Sequence, residues 1–453
     1  MGQRCPPRGS RREKGQTILL VAISLISLLA MAALAIDIVT LYSARSEIQR
    51  AADTAALAGA KAIADSGITT LLLTDTNFAT VRTWATTAAT NQVNAALQNN
   101  PVAGTSLGPV TPTFDWSRQG DPRITVQLSS SNLPTFFSRI WKANPPTVGA
   151  SATAEAYNPA NLPNFTPIAP KGVKPWLVAN ADPTTYNPSN PPAPKFIDPV
   201  TGAIEPGVTV VGERFYLHAD CPVPTSTPCA MVDNPPGIPS SWNGGHPSVE
   251  YVPALITANT GSNVCPACEG ATDYERSIEC ADVTTSYQVL SCGGGTANAK
   301  WDNSVSPGGL NGLSALGAEC LTNATGTGNN QGQDRIDNLG PWPISPMQIT
   351  AESGAQKGSL VTTSSSIVTI PIVDTCGNVN GCFPKNGGPV QIDGYIQAFI
   401  EQVHGGGNAQ HQGDIEIRVL NIAGCGSAST NLGVTPVIGG SGTSPVPVRL
   451  IAP

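Results

Sequence analysis

The chain has 453 residues, with 24 Lys and Arg against 31 Asp and Glu, for a formal net charge of −7. Charged residues make up 12% of it, about half the roughly 25% usual in soluble domains, and the acidic balance disfavours nucleic-acid binding, which needs a basic face. Wholesale disorder is disfavoured too, because it goes with low hydrophobicity and high net charge. Four His leave little material for a metal or acid–base enzyme, while 46 Gly and 41 Pro demand many turns.

Residues 1–16 form a basic leader carrying Arg4, Arg8, Arg11, Arg12 and Lys14, opposed only by Glu13. Thr17 to Ile36 (TILLVAISLISLLAMAALAI) then contains no charge, Pro or Gly. Twenty helical residues at about 1.5 Å each span roughly 30 Å, the thickness of a bilayer hydrocarbon core. A cleaved signal peptide has a shorter apolar region of about 7–15 residues and a small-residue site after it. Here the helical composition continues instead, so a retained single-pass anchor is expected. The basic leader places the N-terminus in the cytosol and the remainder on the exported side of the inner membrane.

Residues 37–65 continue as an Ala-rich stalk helix. Leu41, Ile48, Ala55 and Ala62 recur at sevens, with Ala44, Ala51 and Ala58 three residues after the first three. Such a seam lets another backbone approach closely, either the protein's own globular part or a neighbouring subunit. A stalk that only lifts the ectodomain from the membrane is the plainer alternative. The helix is expected to stop at Asp65-Ser66-Gly67.

Gly15-Gln16 opening the apolar run, followed by AIDIVTLYSARSEIQRAADTAALAGAKAI (Ala35–Ile63), resembles the N-terminal segment of Flp/Tad pilus-assembly proteins of the TadE/TadG-like type. The matching positions include Asp37 at the membrane exit, Tyr42, Arg45, Gln49, Asp53 and Gly59. The resemblance implies a pilus-assembly role with pilin-like or other assembly subunits as partners. Processed relatives carry Glu at the fifth position after the cleaved Gly. Here that position is Leu20, so the leader is expected to stay.

Residues 66–157 read as a small pilin-like α+β module: a helix over Val81–Leu97, a strand over Arg123–Leu128, a short helix over Leu133–Trp141 and an edge-type strand over Val148–Tyr157. The Pro-rich stretch 158–200 is expected to be a spacer of extended segments. Residues 201–453 then form a β-rich distal domain. Its best strands are Val208–Leu217, Ile367–Val373, Val390–Val403 and Ile415–Ile422. In the last, Ile415, Ile417 and Val419 oppose Glu416 and Arg418, the pattern of an antiparallel sheet with one wet face. The fold class is therefore α+β: one transmembrane helix running into a stalk helix, a small module and a disulfide-containing β domain.

Cys5 lies in the leader, and the other ten cysteines all follow residue 200: Cys221, Cys229, Cys265, Cys268, Cys280, Cys292, Cys320, Cys376, Cys382 and Cys425. An even number confined to the exported part reads as disulfides in an oxidising compartment. Cys221–Cys229 and Cys376–Cys382 are easy local pairings. Competing readings are a zinc site of Cys265, Cys268, Cys280 and Cys292, or a redox pair of Cys265 and Cys268.

Asp302-Asn303-Ser304-Val305-Ser306 fits the D-x-S-x-S pattern of metal-dependent adhesion sites, but TANAKW precedes it instead of a buried apolar strand, and so short a polar match arises by chance. Asp334 and Asp337 could ligate calcium within GQDRIDN, but they lack EF-hand spacing, so a solvated turn is expected there. His218, His246, His404 and His411 are scattered, and no catalytic motif appears. The sequence thus implies no enzyme, no cofactor and no small-molecule substrate. It points to a membrane-anchored minor pilin-like component acting by helix-mediated assembly. The alternative is an anchored adhesin or ligand-binding ectodomain for which the N-terminus is only a tether. A thiol oxidoreductase ranks behind both.

Overall fold

The computed structural model describes residues 13–131, 133, 147–161, 168–170, 172–187, 189, 193–205, 210–219, 238, 247–256, 272–280, 290, 292, 299–306, 312–322, 333–337, 342–375, 387–404, 414–425, 437–438 and 444–451. The first element is α1, a single helix over Glu13–Asp65 of 53 residues, about 80 Å long at 1.5 Å per residue. Its Leu- and Ala-rich composition and lack of Pro permit one uninterrupted run. The stop falls where the sequence predicts. Gly67 takes the left-handed conformation at φ 77°, and the Ser66 and Gly67 amides donate to the carbonyls of Ile63 and Ala64.

A second helix, α2 (Phe78–Gln98), buries Val81, Ala85, Ala89, Val93 and Leu97, one residue per turn along a single stripe. Beside the two helices lies an antiparallel sheet of β1 (Thr113–Asp115), β2 (Arg123–Ser130), β3 (Val148–Ala156) and the C-terminal strand Val448–Ile451, in that order. Val148–Tyr157 is therefore not an edge over its second half. Val448 pairs with Ala156 and Ile451 with Thr153, so a strand from almost 300 residues downstream covers that half. The expected short helix over Leu133–Trp141 lies outside the described residues apart from Leu133.

Distally, six strands close into a barrel. In order around it they are Ile367–Val373, Ile392–His404, Asp414–Gly424, Arg214–Ala219, Ser248–Pro253 and Trp176–Ala179. Closure removes the open edges of a sheet. Two joints are parallel, Arg214–Ala219 with Ser248–Pro253 and Trp176–Ala179 with Ile367–Val373, and the rest are antiparallel.

Two sequence expectations are corrected here. The expected wet face is wet only in part: Glu416 is 6% exposed, while the Arg214 side chain beside it stays 56% exposed. The Glu416 charge is balanced by the Arg214 guanidinium at 2.7 Å, while Arg418 meets Glu401 at 2.7 Å and Glu401 also binds Arg214. Alternation marked one apolar face and one built from ion pairs that Arg214 carries out to solvent. The stretch 158–200 is also no spacer in its described part. It supplies the barrel strand Trp176–Ala179, all four residues buried, and buries Phe196 and Ile197. Prolines there punctuate a chain whose intervening apolar residues are drawn into the barrel.

The small module and the barrel share one continuous core that runs from Ala44 to Val446. Polar bonds stitch the junction. Asn158 donates through Nδ2 to the carbonyls of Thr69 (3.2 Å) and Ile422 (2.8 Å), and Asn421 donates to those of Ala64 (2.9 Å) and, through the side chain, Gln397 (2.7 Å). Trp342 Nε1 reaches the Ser66 carbonyl at 3.4 Å.

Candidate assembly surface along the N-terminal helix

Along α1 the environment changes once. Large apolar side chains from Ile18 to Val39 stand exposed, Ile18 at 71% and Val39 at 68%, whereas Ala44 is 1% exposed and Ile48 fully buried. Among the described residues this is the one helix long and apolar enough to cross a membrane. Ala33 and Asp37, one turn apart, are buried, and Asp37 is engaged by a partner.

The Ala seam faces inward. Ala44, Ile48, Ala51 and Ala55 are buried in a core shared with Ile124 and Val126 of β2 and Ala152 and Ala154 of β3, so in this arrangement they are covered by the protein's own sheet. Of the two surfaces the seam could meet, the chain itself supplies this one. Small side chains let the helix lie close on the sheet, and each fully buried Ile adds roughly 1.5–3 kcal/mol. Leu41, Ala58 and Ala62 are only half-buried, at the two ends of the seam.

The positions that carried the family resemblance separate into two groups. Gly59 and the Gln49–Asp53 pair serve the fold. A Cβ at Gly59 would lie 2.5 Å from Ile124 Cδ1 and 2.9 Å from Val93 Cγ2, so any larger residue must displace those two side chains where α1 meets both β2 and α2. Gln49 Nε2 donates to Asp53 Oδ1 at 2.8 Å and to the Ser151 carbonyl at 3.4 Å, tying α1 to β3. Tyr42 and Arg45 point away from the core: Tyr42 is 72% exposed, and Arg45 is exposed with no ion pair among the described residues.

Two grooves border the helix. A polar one of about 370 Å³ is lined by Glu47, Arg50, Asp53 and Thr54 of α1 and by Asn99–Pro101 after α2. Its Glu47 already accepts from the Ala103 amide at 2.7 Å. A mostly apolar one of about 480 Å³ lies at the far end of α1, where Ala58 and Ala62 face Trp84 of α2 and Met347, Ile349 and Leu360. Lys61 and Asp65, paired as a salt bridge one turn apart, stand at its rim.

Of the ten candidate disulfide cysteines, Cys292 and Cys425 are bonded to each other, closing a sequence separation of 133 residues, and Cys280 and Cys320 each take part in a disulfide. Bridged sulfurs cannot act as thiolate ligands, so a zinc site of Cys265, Cys268, Cys280 and Cys292 is ruled out. Cys221, Cys229, Cys265, Cys268, Cys376 and Cys382 lie outside the described residues, and so do the two local pairings and the redox pair. Asp302 Oδ1 accepts from the Ser304 amide and hydroxyl, closing a local polar turn. Asp334 accepts from the Glu352 amide and the Ser364 hydroxyl, and Asp337 binds Arg335 and Thr350, so both brace loops. His218 meets Asp414 at 2.9 Å.

Sequence reasoning missed several buried polar groups. Lys174 is 1% exposed and donates to the carbonyls of Ile278 (2.8 Å) and Cys280 (2.5 Å). These close a short helix, Asp273–Glu279, so the lysine caps its C-terminus. Burial pushes its ammonium down to about 7. Single polar residues such as Lys174, Asn158 and Asn421 leave no periodic trace, so nothing in the sequence singled them out.

Residues 15–62 match the family described as "Putative Flp pilus-assembly TadE/G-like". The matched stretch begins within the first turn of α1 and ends near its last, taking in the exposed apolar span and the buried seam together. Neither a curated protein nor a solved structure matches the chain.

Proposed function

We propose that this protein is a membrane-anchored minor component of a Flp/Tad-type pilus or secretion apparatus and that it works by assembly, without catalysis. The observation that carries the reading is the coincidence of the family match with α1: one helix is apolar and exposed over its first half and forms the spine of the folded body over its second. A helix of that kind holds the body at the membrane and presents its exposed half to lipid and to the membrane helices of other subunits. With Ala44, Ile48, Ala51 and Ala55 covered by the protein's own sheet, docking between subunits falls to the span before residue 40 and to the ends of the seam. The basic leader favours a cytosolic N-terminus with the body on the periplasmic or surface side.

Replacing residues 17–36 by an unrelated transmembrane helix of equal length tests this. Loss of piliation and of co-purification with the other pilus-assembly proteins, with the body still folded, is the expected outcome. Full assembly with the foreign helix would reduce α1 to a tether.

That result would favour a second reading, an anchored ligand-binding or adhesive body. It draws on the apolar groove around Ala58, Ala62, Trp84 and Leu360, a concave surface with Leu360 61% exposed. Leu360→Asp would then weaken surface attachment while leaving pilus assembly intact.

A further inference from the structure

Two rows of residues seven apart run along α1, each returning to nearly the same bearing on the helix. One row reads Met31, Ile38, Arg45, Ala52: exposed at 70%, exposed at 44%, exposed and cationic, then fully buried. The neighbouring row reads Leu28, Ala35, Tyr42, Gln49, Ala56, with Leu28 65% and Tyr42 72% exposed and Ala56 fully buried. On both rows the residue between the greasy surface and the protein core is amphipathic.

We infer that Tyr42 and Arg45 form a headgroup-binding collar, seated in the phosphate layer of the leaflet on which the folded body rests. The inference depends on the membrane anchor proposed above and adds the depth at which it sits and the lipid chemistry that fixes it. The exposed apolar run ends at Val39. At about 1.5 Å per residue, Tyr42 lies roughly 5 Å beyond it and Arg45 roughly 9 Å. The headgroup zone on each side of a bilayer is about 5–8 Å thick, the difference between a core of about 30 Å and a total of about 40–45 Å.

Side-chain direction closes the remaining distance. In an α-helix side chains lean toward the N-terminus, which for this helix is the membrane side. The Tyr42 hydroxyl and the Arg45 guanidinium therefore reach back toward the lipid phosphates, leaving their apolar portions along the helix. Depth and pairing leave that role to Arg45, since Arg50, also exposed, lies roughly 16 Å beyond Val39 and past the headgroup zone. Glu47 is taken by Ser43 and the Ala103 amide, and Asp53 by Gln49, while Arg45 has no ion pair among the described residues. A guanidinium presents a planar fork of donors suited to a phosphate diester.

The test uses the full chain in nanodiscs of phosphatidylglycerol and phosphatidylethanolamine, with p-benzoylphenylalanine in place of Leu25, Tyr42 or Thr54. Light should give phospholipid adducts at positions 25 and 42 and none at 54. With the probe at 42, Arg45→Gln should lower the lipid adduct about fivefold relative to Arg45→Lys, the ratio matching the ~1 kcal/mol of one cation at an anionic surface. Lipid adducts at 25 with none at 42, or adducts at 42 to protein instead of lipid, would overturn the collar and leave the anchor standing. A failure at 25 would instead undo the anchor itself.

Discussion

Gly59 of α1 and Ile124 of β2 meet so closely that a methyl group at 59 would sit 2.5 Å from Ile124 Cδ1. Backbone conformation does not demand glycine there, since Gly59 lies mid-helix, where alanine is intrinsically better by about 1 kcal/mol. Steric fit outweighs that preference. Gly59→Ala should destabilise the body by roughly 1–3 kcal/mol through overpacking. Pairing it with Ile124→Val removes the offending methyl and should recover part of the loss. Thermal unfolding of the three variants in detergent measures both effects, and a single Gly59→Ala variant as stable as the parent would refute the steric account.

The junction between the small module and the barrel gives a second prediction. Asn158 bonds two carbonyls, Thr69 O and Ile422 O, from segments more than 300 residues apart. Asn158→Ala leaves both buried acceptors short of a donor, which costs about 1–3 kcal/mol. Because the core is continuous across this junction, unfolding should remain a single transition at a lower temperature. Two separated transitions in calorimetry would show that the halves unfold independently.

Cys292 and Cys425 join a loop segment to the end of the Asp414–Gly424 barrel strand. Cys425→Ser should cost roughly 2–4 kcal/mol, the usual value for closing a long loop. Dithiothreitol should lower the melting temperature of the parent toward that of the variant, and peptide mapping under non-reducing conditions should recover the Cys292–Cys425 pair. A free thiol at either position in the exported protein would contradict the bridge.

Much of this organisation was legible in the sequence because its signals are local. Thr17–Ile36 carries no charge, Pro or Gly, Asp65-Ser66-Gly67 ends the helix, and Ile367–Val373 is a strand over its full predicted length. What escaped depends on distant segments meeting. Val148–Ala156 alternates like an edge strand because its second neighbour, Val448–Ile451, comes from the end of the chain. Glu416 and Arg418 look solvated until Arg214 and Glu401 close over them. Pro-rich residues before 200 look like a spacer because four buried residues, Trp176–Ala179, are too short a run to announce a barrel strand. At the candidate site the seam was found, but its inward orientation was not, since an Ala stripe fits a foreign helix and the protein's own sheet equally well.

Buried carboxyls give the stability of the body a definite pH dependence. Burial, reinforced by the neighbouring Asp374, raises the Asp393 carboxyl to about 7, against the hydrogen bonds from Gln391 and Asn180 that favour its ionised form. Burial and the nearby Asp182 raise Glu213 to about 8. In the unfolded chain both titrate near 4. Through these two carboxyls the native state holds more protons than the unfolded state between about pH 4 and pH 8, and their contribution to stability falls as pH rises. The contribution is complete below pH 4 and lost once the pH passes 7 for Asp393 and 8 for Glu213. The melting temperature should accordingly be higher at pH 5 than at pH 8. Asp393→Asn keeps the shape and removes the titration, so its melting temperature should change less over that interval than the parent's. An equally steep pH profile in the variant would assign the dependence to other groups.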